Sequence, residues 1–372
     1  MEPNRLKLES LTLSGYKSFS SDDHTIKFGG ITVLIGPNGA GKSNLISFFR
    51  LLNYMTTGAL QTHIAGSADA LLYFGPKRTR AIGARLRFSS ETKKDEYNLW
   101  LSYSEGGNTL VITDEGFEYH KSGLFPGKMS FPAGRLESGL TDPSNVSDAR
   151  VRFVHALLSG CRCYHFHDTS SEARIRGDSY IDDNRYLRND AGNLAAFLYS
   201  IKKTKPKHYE RIIRHISRVV PQFADFELEP RKLDEKKIRL NWHNHTSDYL
   251  FGAHQLSDGS LRFAALTTLF LQPEPLPSVI ILDEPELGLH PSALTELAGV
   301  IRTASEQCQV IIATQSPRLI DEFNGSDLVV LEWDREKRTS VFRELDESQL
   351  LDWMKDYSLG DLWEKNVLGG KP

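Results

Sequence analysis

The sequence predicts an α/β fold with a mixed central sheet, an antiparallel β lobe and an inserted, mainly helical subdomain. Two patterns support this prediction. Short, nearly all-apolar segments alternate with helical segments near the two ends of the chain, which is typical of βαβ units. Residues 81–118 instead alternate apolar and polar side chains between glycine and asparagine turns, which indicates antiparallel strands.

The N-terminal part reads as several strands followed by a glycine-rich turn and a helix. Alternating leucines mark strands within residues 6–13, and a further strand follows at residues 25–28. Residues 31–35 are almost all apolar, which favours a central strand covered on both faces. A helical apolar pattern covers residues 45–52, directly after the turn.

The sequence also predicts helices and strands in the rest of the chain, and the pattern is clearest in the last third. Helices are indicated at residues 193–201 and 209–220, and strands return at residues 226–228 and 238–242. Apolar strands alternating with helices then follow, at residues 279–282, 310–313 and 328–331. We therefore expect an N-terminal lobe over residues 1–135, an insert over 136–250, and a C-terminal lobe over 251–372.

Composition restricts the function classes. With 372 residues, 40% hydrophobic and 25% charged, the chain is expected to be globular, and its longest apolar stretch is too short to span a membrane. Three cysteines without a CxxC pair favour a reducing compartment, so we expect a cytoplasmic protein. A formal net charge of −3 excludes a generally basic nucleic-acid-binding chain but allows a local basic patch.

The turn at residues 36–43 has the complete pattern of a phosphate-binding loop, with a strand before it and a helix after it. Glycines let backbone N–H groups turn toward phosphates, and the helix N-terminus adds positive potential. Lys42 supplies a charge near the β- and γ-phosphates, and Ser43 offers a hydroxyl to Mg²⁺. The residues expected to bind the nucleotide are Gly36, Pro37, Asn38, Gly39, Ala40, Gly41, Lys42, Ser43 and Asn44.

A second motif places two acids at the end of an apolar strand. Residues 279–282 are followed by Asp283 and Glu284, where open α/β sheets bind ligands. Asp283 is expected to hold Mg²⁺, directly or through water, and Glu284 to orient and polarise the attacking water. The competing interpretation is a strand that simply ends in an acidic turn.

The order of these motifs resembles ABC-type ATPases. The run Leu256-Ser257-Asp258-Gly259-Ser260, a helix and the acidic strand follow one another as a signature motif and Walker B strand do. The segments 15–19, 36–44, 69–75 and 283–291 resemble the RecF, SMC and OLD class more narrowly. The likeness is densest over residues 1–90 and 251–335.

The resemblance implies an ATP- and Mg²⁺-dependent head that forms a homodimer around two ATP molecules. Ser257 and Gly259 would approach the γ-phosphate held by the other copy, and Lys17 would lie near the adenine or the α-phosphate, unless it belongs to a surface loop. Gln315 stands where the class usually has a switch histidine; it can bond to the γ-phosphate but carries no proton. With Glu284 and Lys42 it completes the expected catalytic set.

Two further segments leave alternatives open. His165 to Asp168 occupy the region where a Mg²⁺-sensing glutamine is usual, and the histidines read either as strand-edge structure, which we favour, or as metal ligands. A helical stripe reads either as a contact with DNA or RNA or, which we favour, as a solvated face; its residues are Lys207, Arg211, Arg214 and Arg218.

Two functions remain. The first is an ATPase whose ATP-driven dimerisation gates DNA binding or a partner effector, a nuclease or toxin, in antiphage defence or DNA repair. The second is an ATP-bound DNA clamp or scaffold with little turnover. A transporter subunit is disfavoured, because its signature would read Ser-Gly-Gly-Gln rather than Ser257-Asp258-Gly259-Ser260. No membrane partner is therefore expected.

Overall fold

The computed structural model describes residues 6–121, 127–345 and 352–369, and its N-terminal part forms strands around two helices. The apolar alternation in this region produces an antiparallel sheet of six strands in the order β2-β1-β4-β5-β6-β7, as predicted. The elements are β1 (Lys7–Ser14), β2 (His24–Lys27), β3 (Ile31–Ile35), α1 (Lys42–Thr56), α2 (Leu60–Ile64), β4 (Ala81–Ser89), β5 (Lys93–Ser104), β6 (Thr109–Lys121) and β7 (Gly127–Ser130).

The middle of the chain combines helices with short strands. Its elements are α3 (Ala149–Ser159), β8 (Cys161–Tyr164), β9 (Asp178–Tyr180), α4 (Leu194–Thr204), α5 (Pro206–Val219), β10 (Phe223–Glu227), β11 (Pro230–Arg231), β12 (Asp234–Arg239), β13 (Asn241–Asn244) and β14 (Ser247–Gly252). Two small sheets, β10-β13-β14 and β11-β12-β9, accompany the helices. The prediction of a mainly helical insert is therefore incomplete, because paired short strands contribute much of its regular structure.

The C-terminal part supplies most of the central sheet. Its elements are α6 (Asp258–Leu271), β15 (Val279–Asp283), α7 (Pro291–Ser305), β16 (Gln309–Ala313), α8 (Pro317–Ile320), β17 (Leu328–Asp334), β18 (Thr339–Glu344) and α9 (Leu359–Glu364). The three predicted strands of this region are all present. In the part of the chain that the structure describes, no helix combines the length and the apolar character needed to cross a bilayer.

The central sheet has the strand order β18-β17-β3-β16-β15-β8. The five strands from β17 to β8 are parallel, and β18 pairs with β17 in the antiparallel sense, so the sheet is mixed as predicted. The carboxyl ends of β3, β15 and β16 consequently meet at one edge, where ligands of α/β sheets bind.

Alternate residues of the central strands pack into two hydrophobic cores, one on each face of the sheet. On one face, Leu34, Ile281 and Ile311 pack with α1, α3 and the antiparallel sheet. On the other face, neighbouring residues of the same strands pack with α4, α5, α6 and α7. This two-sided burial explains the nearly continuous apolar runs in the sequence, and it holds the sheet edge between two packed layers.

Candidate functional site

The phosphate-binding loop connects β3 directly to α1, and two of its glycines are required by their surroundings. A Cβ on Gly36 would lie 2.4 Å from the carbonyl oxygen of Leu331. Gly41 has φ +111°, and a Cβ there would lie 2.4 Å from Ser340 Oγ and 2.8 Å from Ser18 Oγ. Because Gly41 has no side chain to cap α1, the amides of the first helical turn remain available to an anion.

Lys42 is buried and lies across the loop that precedes it. Its Nζ donates hydrogen bonds to the carbonyl oxygens of Gly36, at 2.5 Å, and Pro37, at 3.1 Å. Burial lowers the pKa of Lys42, and the nearby carboxylates, first of all that of Glu284, oppose this change. The ammonium group is therefore held between the loop and the acids that follow β15.

Asp283 ends β15 and faces Ser43 at the start of α1. Burial raises the pKa of Asp283, while a hydrogen bond from Ser43 opposes the increase and the charge of Glu284 adds to it. One carboxylate oxygen, Oδ1, is buried and has no hydrogen-bond partner within the described residues. An unpaired carboxylate oxygen beside a hydroxyl is a donor set that suits Mg²⁺.

Glu284 and Gln315 are in direct contact. Gln315 donates a hydrogen bond from Nε2 to Oε1 of Glu284 at 2.6 Å, and the backbone of Glu284 has the left-handed φ of +42°. The backbone N–H of Glu284 is bonded to the carbonyl of Ala313 at 2.8 Å, which ties the turn after β15 to the end of β16. The carboxylate is thus aimed by its own backbone and by Gln315.

Glu286, to which no role was assigned from the sequence, fixes the position of Gln315. Its Oε1 accepts hydrogen bonds from Thr314 Oγ1 at 2.5 Å and from the backbone N–H of Gln315 at 3.1 Å. Burial raises the pKa of Glu286. The only signal in the sequence was a second acid two residues after Glu284.

A cleft of about 120 Å³ collects most of the predicted site. Seven residues between Pro37 and Asn44 line it, together with Glu284 and Gln315. A larger cavity of about 620 Å³ lies at the amino ends of the central strands, beside Gly30 and Gln309, and none of the predicted site residues lines it. Most of the predicted site residues are therefore located at the small cleft and none at the large cavity.

Lys17 lies beside α1 and does not line the cleft. Its Nζ donates to Ser47 Oγ at 2.9 Å, and burial, with a smaller effect from Arg50, lowers the pKa of its ammonium group. The neighbouring Ser18 accepts a hydrogen bond from Asn44, which does line the cleft. Lys17 therefore does not reach the cleft itself, but the next residue, Ser18, contacts a residue that lines it.

Ser257 and Gly259 lie on a separate surface at the start of α6. Ser257 Oγ caps the helix by accepting from the backbone N–H of Ser260 at 3.1 Å. A Cβ on Gly259 would lie 2.2 Å from the carbonyl oxygen of Gly288, so this position requires glycine. Neither residue lines the cleft of its own chain.

The segment after β8 lies against the acidic end of β15. His167 Nε2 donates to the carbonyl oxygen of Asp283 at 2.6 Å. The interpretation of both histidines as strand residues is wrong, because β8 ends at Tyr164, where the chain leaves the sheet. No group of three or more His, Cys, Asp or Glu side chains is arranged to hold a metal ion within the described ranges.

The basic stripe lies on the solvent-facing side of α5. Pro206 opens the helix, and Ile212 and Ile216 bury the opposite face. Arg218 pairs with Glu296 of α7 at 3.0 Å, and Glu296 also bonds to His215 at 2.5 Å. The exposed members of the stripe are Lys207, Arg211, Arg214 and Arg218.

Two family models match the chain. One, described as “AAA domain, putative AbiEii toxin, Type IV TA system”, matches residues 136–321, half of the chain. The other, described as an AAA domain, matches residues 10–132. Between them they include the loop, both acids after β15 and the start of α6.

Curated relatives match the chain over short regions. The chromosome partition protein Smc of Mycolicibacterium paratuberculosis is 33% identical over 118 residues, 31% of this chain and 10% of that protein. The DNA replication and repair protein RecF of an Arthrobacter species is 39% identical over 71 residues, 19% of this chain and 16% of that protein. The chain thus spans only a small part of the length of these relatives.

Solved SMC heads share the fold over almost the whole chain. An SMC head bound to the C-winged helix domain of ScpA aligns with a TM-score of 0.57 at 17% identity, over 93% of this chain and 99% of that chain. The Smc head of Pyrococcus furiosus, solved with the C-terminal domain of ScpA, aligns with 0.56 at 16%, over 95% and 99%. At these identities the likeness concerns the fold, and it confirms the predicted class.

Proposed function

The chain belongs to the AAA-domain family, as an ABC-type ATPase head of the RecF and SMC class, and from this premise we propose that it is a Mg²⁺-dependent ATPase. The observation that supports the proposal most directly is that Lys42, Ser43 and Glu284 line one cleft, while Asp283 is hydrogen-bonded to Ser43. These four groups are what phosphoryl transfer to water requires of a protein.

Phosphate binding falls to the loop and to Lys42. The backbone N–H groups of residues 38–43 and the N-terminus of α1 would present hydrogen-bond donors and a partial positive charge to the β- and γ-phosphates. Lys42 Nζ, bonded to the carbonyls of Gly36 and Pro37, would exchange these acceptors for phosphate oxygens. A charged acceptor makes the stronger hydrogen bond, so the exchange favours binding.

Ser43 and Asp283 are the residues that would hold Mg²⁺. The two side chains are hydrogen-bonded to each other, and Oδ1 of Asp283 has no hydrogen-bond partner within the described residues. When bound, the ion would neutralise charge that develops on the β- and γ-phosphates. His167 would help to hold Asp283 in place, since its ring donates a hydrogen bond to the backbone carbonyl of Asp283.

Glu284 would orient the attacking water and take up its proton. The carboxylate is positioned by Gln315, whose amide can also donate to the γ-phosphate from its second N–H. Gln315 cannot carry a proton, so proton transfer rests on Glu284. Glu286 keeps Gln315 in place through the backbone.

A second copy of the chain would complete the site. The cleft of about 120 Å³ is well below the roughly 300–1,000 Å³ of pockets that enclose a ligand. Ser257 and Gly259 lie outside it, at the capped N-terminus of α6. A homodimer with two shared ATP sites would bring these residues of one copy to the nucleotide of the other.

The output of the dimer would be DNA binding or the control of an effector. The exposed stripe on α5 could contact phosphates of DNA or RNA, and α5 packs against α6 and α7. The names of the relatives refer to chromosome partition and to DNA repair, and the family description refers to a toxin. They support a toxin partner or a role in DNA repair, whereas a nuclease partner and antiphage defence are proposed from the resemblance to the class alone.

The second candidate is an ATP-bound clamp with little turnover. The substitution of glutamine for histidine at position 315 favours it, because this amide neither donates nor accepts a proton in catalysis. A phosphate-release assay with Mg²⁺-ATP, with and without double-stranded DNA, separates the two candidates. Steady release supports the ATPase, and nucleotide binding without release supports the clamp.

The assignment of Glu284 is tested by Glu284→Gln. This variant should bind ATP, lose most turnover and accumulate as an ATP-dependent dimer in sedimentation velocity. Glu306→Gln, at an exposed position after α7, is the matched control and should behave as the parent protein. Unchanged turnover in Glu284→Gln would refute the catalytic role.

A further inference from the structure

Arg262, in the second turn of α6, is a buried guanidinium group that binds three backbone carbonyls. Only 7% of the residue is exposed. Nε donates to the oxygen of Phe166 at 2.8 Å, Nη2 donates to that of His167 at 3.0 Å, and Nη1 donates to that of Leu287. The three acceptors belong to two different loops, one after β8 and one after β15.

The guanidinium group of Arg262 binds backbone carbonyls of two loops and forms no ion pair with a carboxylate among the described residues. Burial lowers the pKa of Arg262, and the charge of Asp258 opposes the change, although the structure gives no salt bridge between the two side chains. A buried charge is costly unless its hydrogen bonds are satisfied, and here carbonyl oxygens satisfy them. Because the guanidinium plane is rigid, its fork fixes the two loops relative to α6.

Two other contacts fasten the same surfaces together. Gly259 and Gly288 approach so closely that a Cβ on either would meet the other loop or Arg262. Arg176, whose side chain is also 7% exposed, reaches in the opposite direction, from the segment after β8 to the carbonyls of Ala253 and Leu256 and to Asp258 at 2.7 Å. The start of α6 is thus held from both sides.

We propose that Arg262 is the positioning residue that presents Ser257 and Gly259 to the nucleotide of a second copy. It ties the start of α6 to Leu287 and to His167, whose ring holds the carbonyl of Asp283. The nucleotide site of one copy is thereby connected to the surface that this copy offers to its partner. The inference rests on the proposed two-copy site, and it adds a residue that touches neither nucleotide.

Arg262→Met should separate binding from turnover. A single copy should keep its affinity for a fluorescent ATP analogue within about twofold, because the phosphate-binding loop is untouched. ATP-dependent dimerisation should weaken and kcat should fall at least about tenfold, because the partner surface loses its position. Arg262→Lys should recover part of kcat, since an ammonium can still bind some of the carbonyls.

Arg302→Met is the matched control. Arg302 also donates to a backbone carbonyl, that of Glu322, but lies on α7 away from these loops. It should leave kcat and dimerisation unchanged. If Arg262→Met matches this control in every measurement, the positioning role is excluded.

Mixing two variants distinguishes positioning from misfolding. Lys42→Ala cannot hold nucleotide, and Arg262→Met cannot present its α6 surface, so each alone should be inactive. In an equal mixture, the Arg262→Met copy binds ATP and the Lys42→Ala copy supplies an intact surface, so roughly a quarter of the parental turnover should return.

A parallel mixture of Lys42→Ala with Ser257→Arg tests the two-copy site itself. If this mixture regains turnover and the Arg262→Met mixture does not, the role of Arg262 is refuted while the proposed function stands. If neither mixture regains turnover, the two-copy site is refuted, and the inference about Arg262 with it.

Discussion

Gln315 and Glu284 form a 2.6 Å hydrogen bond between the ends of two neighbouring parallel strands, β16 and β15. The amide nitrogen can only donate, and the carboxylate can only accept while it is ionised, so the direction of this bond is fixed. Glu284 is therefore oriented without any change of protonation in its partner. A histidine at position 315 would add a second titrating group next to Glu284.

Gln315→Ala should lower kcat by about tenfold to a hundredfold, because Glu284 loses its orienting donor and the γ-phosphate loses a contact. The affinity for ATP should change little, since the loop and Lys42 carry most of the phosphate binding. Steady-state phosphate release and equilibrium binding measure the two quantities. A loss of affinity as large as the loss of kcat would argue against this division of roles.

Gly41→Ala should cost more than a usual glycine substitution in a turn. Its left-handed φ alone costs about 1–2 kcal/mol, and the new Cβ would meet Ser340 and Ser18. We expect a lower free energy of unfolding and weak ATP binding. Gly66→Ala is the control, because Gly66 also has a positive φ, of +69°, but no heavy atom lies within 4 Å of the added Cβ. It should lose about 1 kcal/mol and keep ATP binding.

Asp283→Asn should stabilise the nucleotide-free protein near neutral pH. Burial raises the pKa of Asp283 above that of the unfolded chain, so this group contributes stability at low pH and loses it as pH rises through the folded-state pKa. Asparagine removes the desolvated charge and the repulsion from Glu284. The gain, measured by urea unfolding, should shrink as the pH falls.

The exposed Asp114 provides the control for that comparison. Asp114→Asn should leave the free energy of unfolding nearly unchanged at every pH. Asp283→Asn should also lose the Mg²⁺ dependence of ATP binding, because a carboxylate ligand is gone. Equal stability of Asp283→Asn and the parent protein across the pH range would contradict the burial argument.

Neutralising the stripe on α5 should reduce binding to double-stranded DNA if the stripe contacts phosphates. Each lost contact should lower the slope of log affinity against log salt concentration by about 0.9. Glutamine substitutions at Lys207, Arg211 and Arg214 should act together in this way, whereas Arg218→Gln should have a smaller effect, because Arg218 already pairs with Glu296. Unchanged salt dependence in the triple variant would support a solvated face.

The parts of the site that are contiguous in the sequence could be predicted. The contacts between residues that are far apart in the sequence could not. Residues 36–44 and the pair Asp283–Glu284 carry their context with them, as a strand before and a helix or turn after. Gln315 was found because it follows an apolar strand at the place where the resembled class usually has a switch histidine. Arg262 and Arg176 gave no signal, since several of their acceptors are carbonyls of loops about 80 to 100 positions away, and any residue can supply a carbonyl.

The same limit explains the fold of the middle region. The strand β8 has only four residues, directly after α3, yet it pairs with β15 at the edge of the central sheet. Its alternation is too short to distinguish a sheet strand from the end of a helix. The sequence indicates strands at residues 226–228 and 238–242, but it does not show that the strands here are divided between two small sheets, β10-β13-β14 and β11-β12-β9.

The position of β3 between β16 and β17 has a consequence for biosynthesis. The strand that leads into the phosphate-binding loop is synthesised long before β16 and β17, the two strands that flank it. Pairings of such sequence separation form slowly. Until β16 has been made, both edges of β3 lack their partner strands, and one edge still lacks its partner until β17 follows, so the nascent chain is exposed to aggregation and to chaperones during this interval.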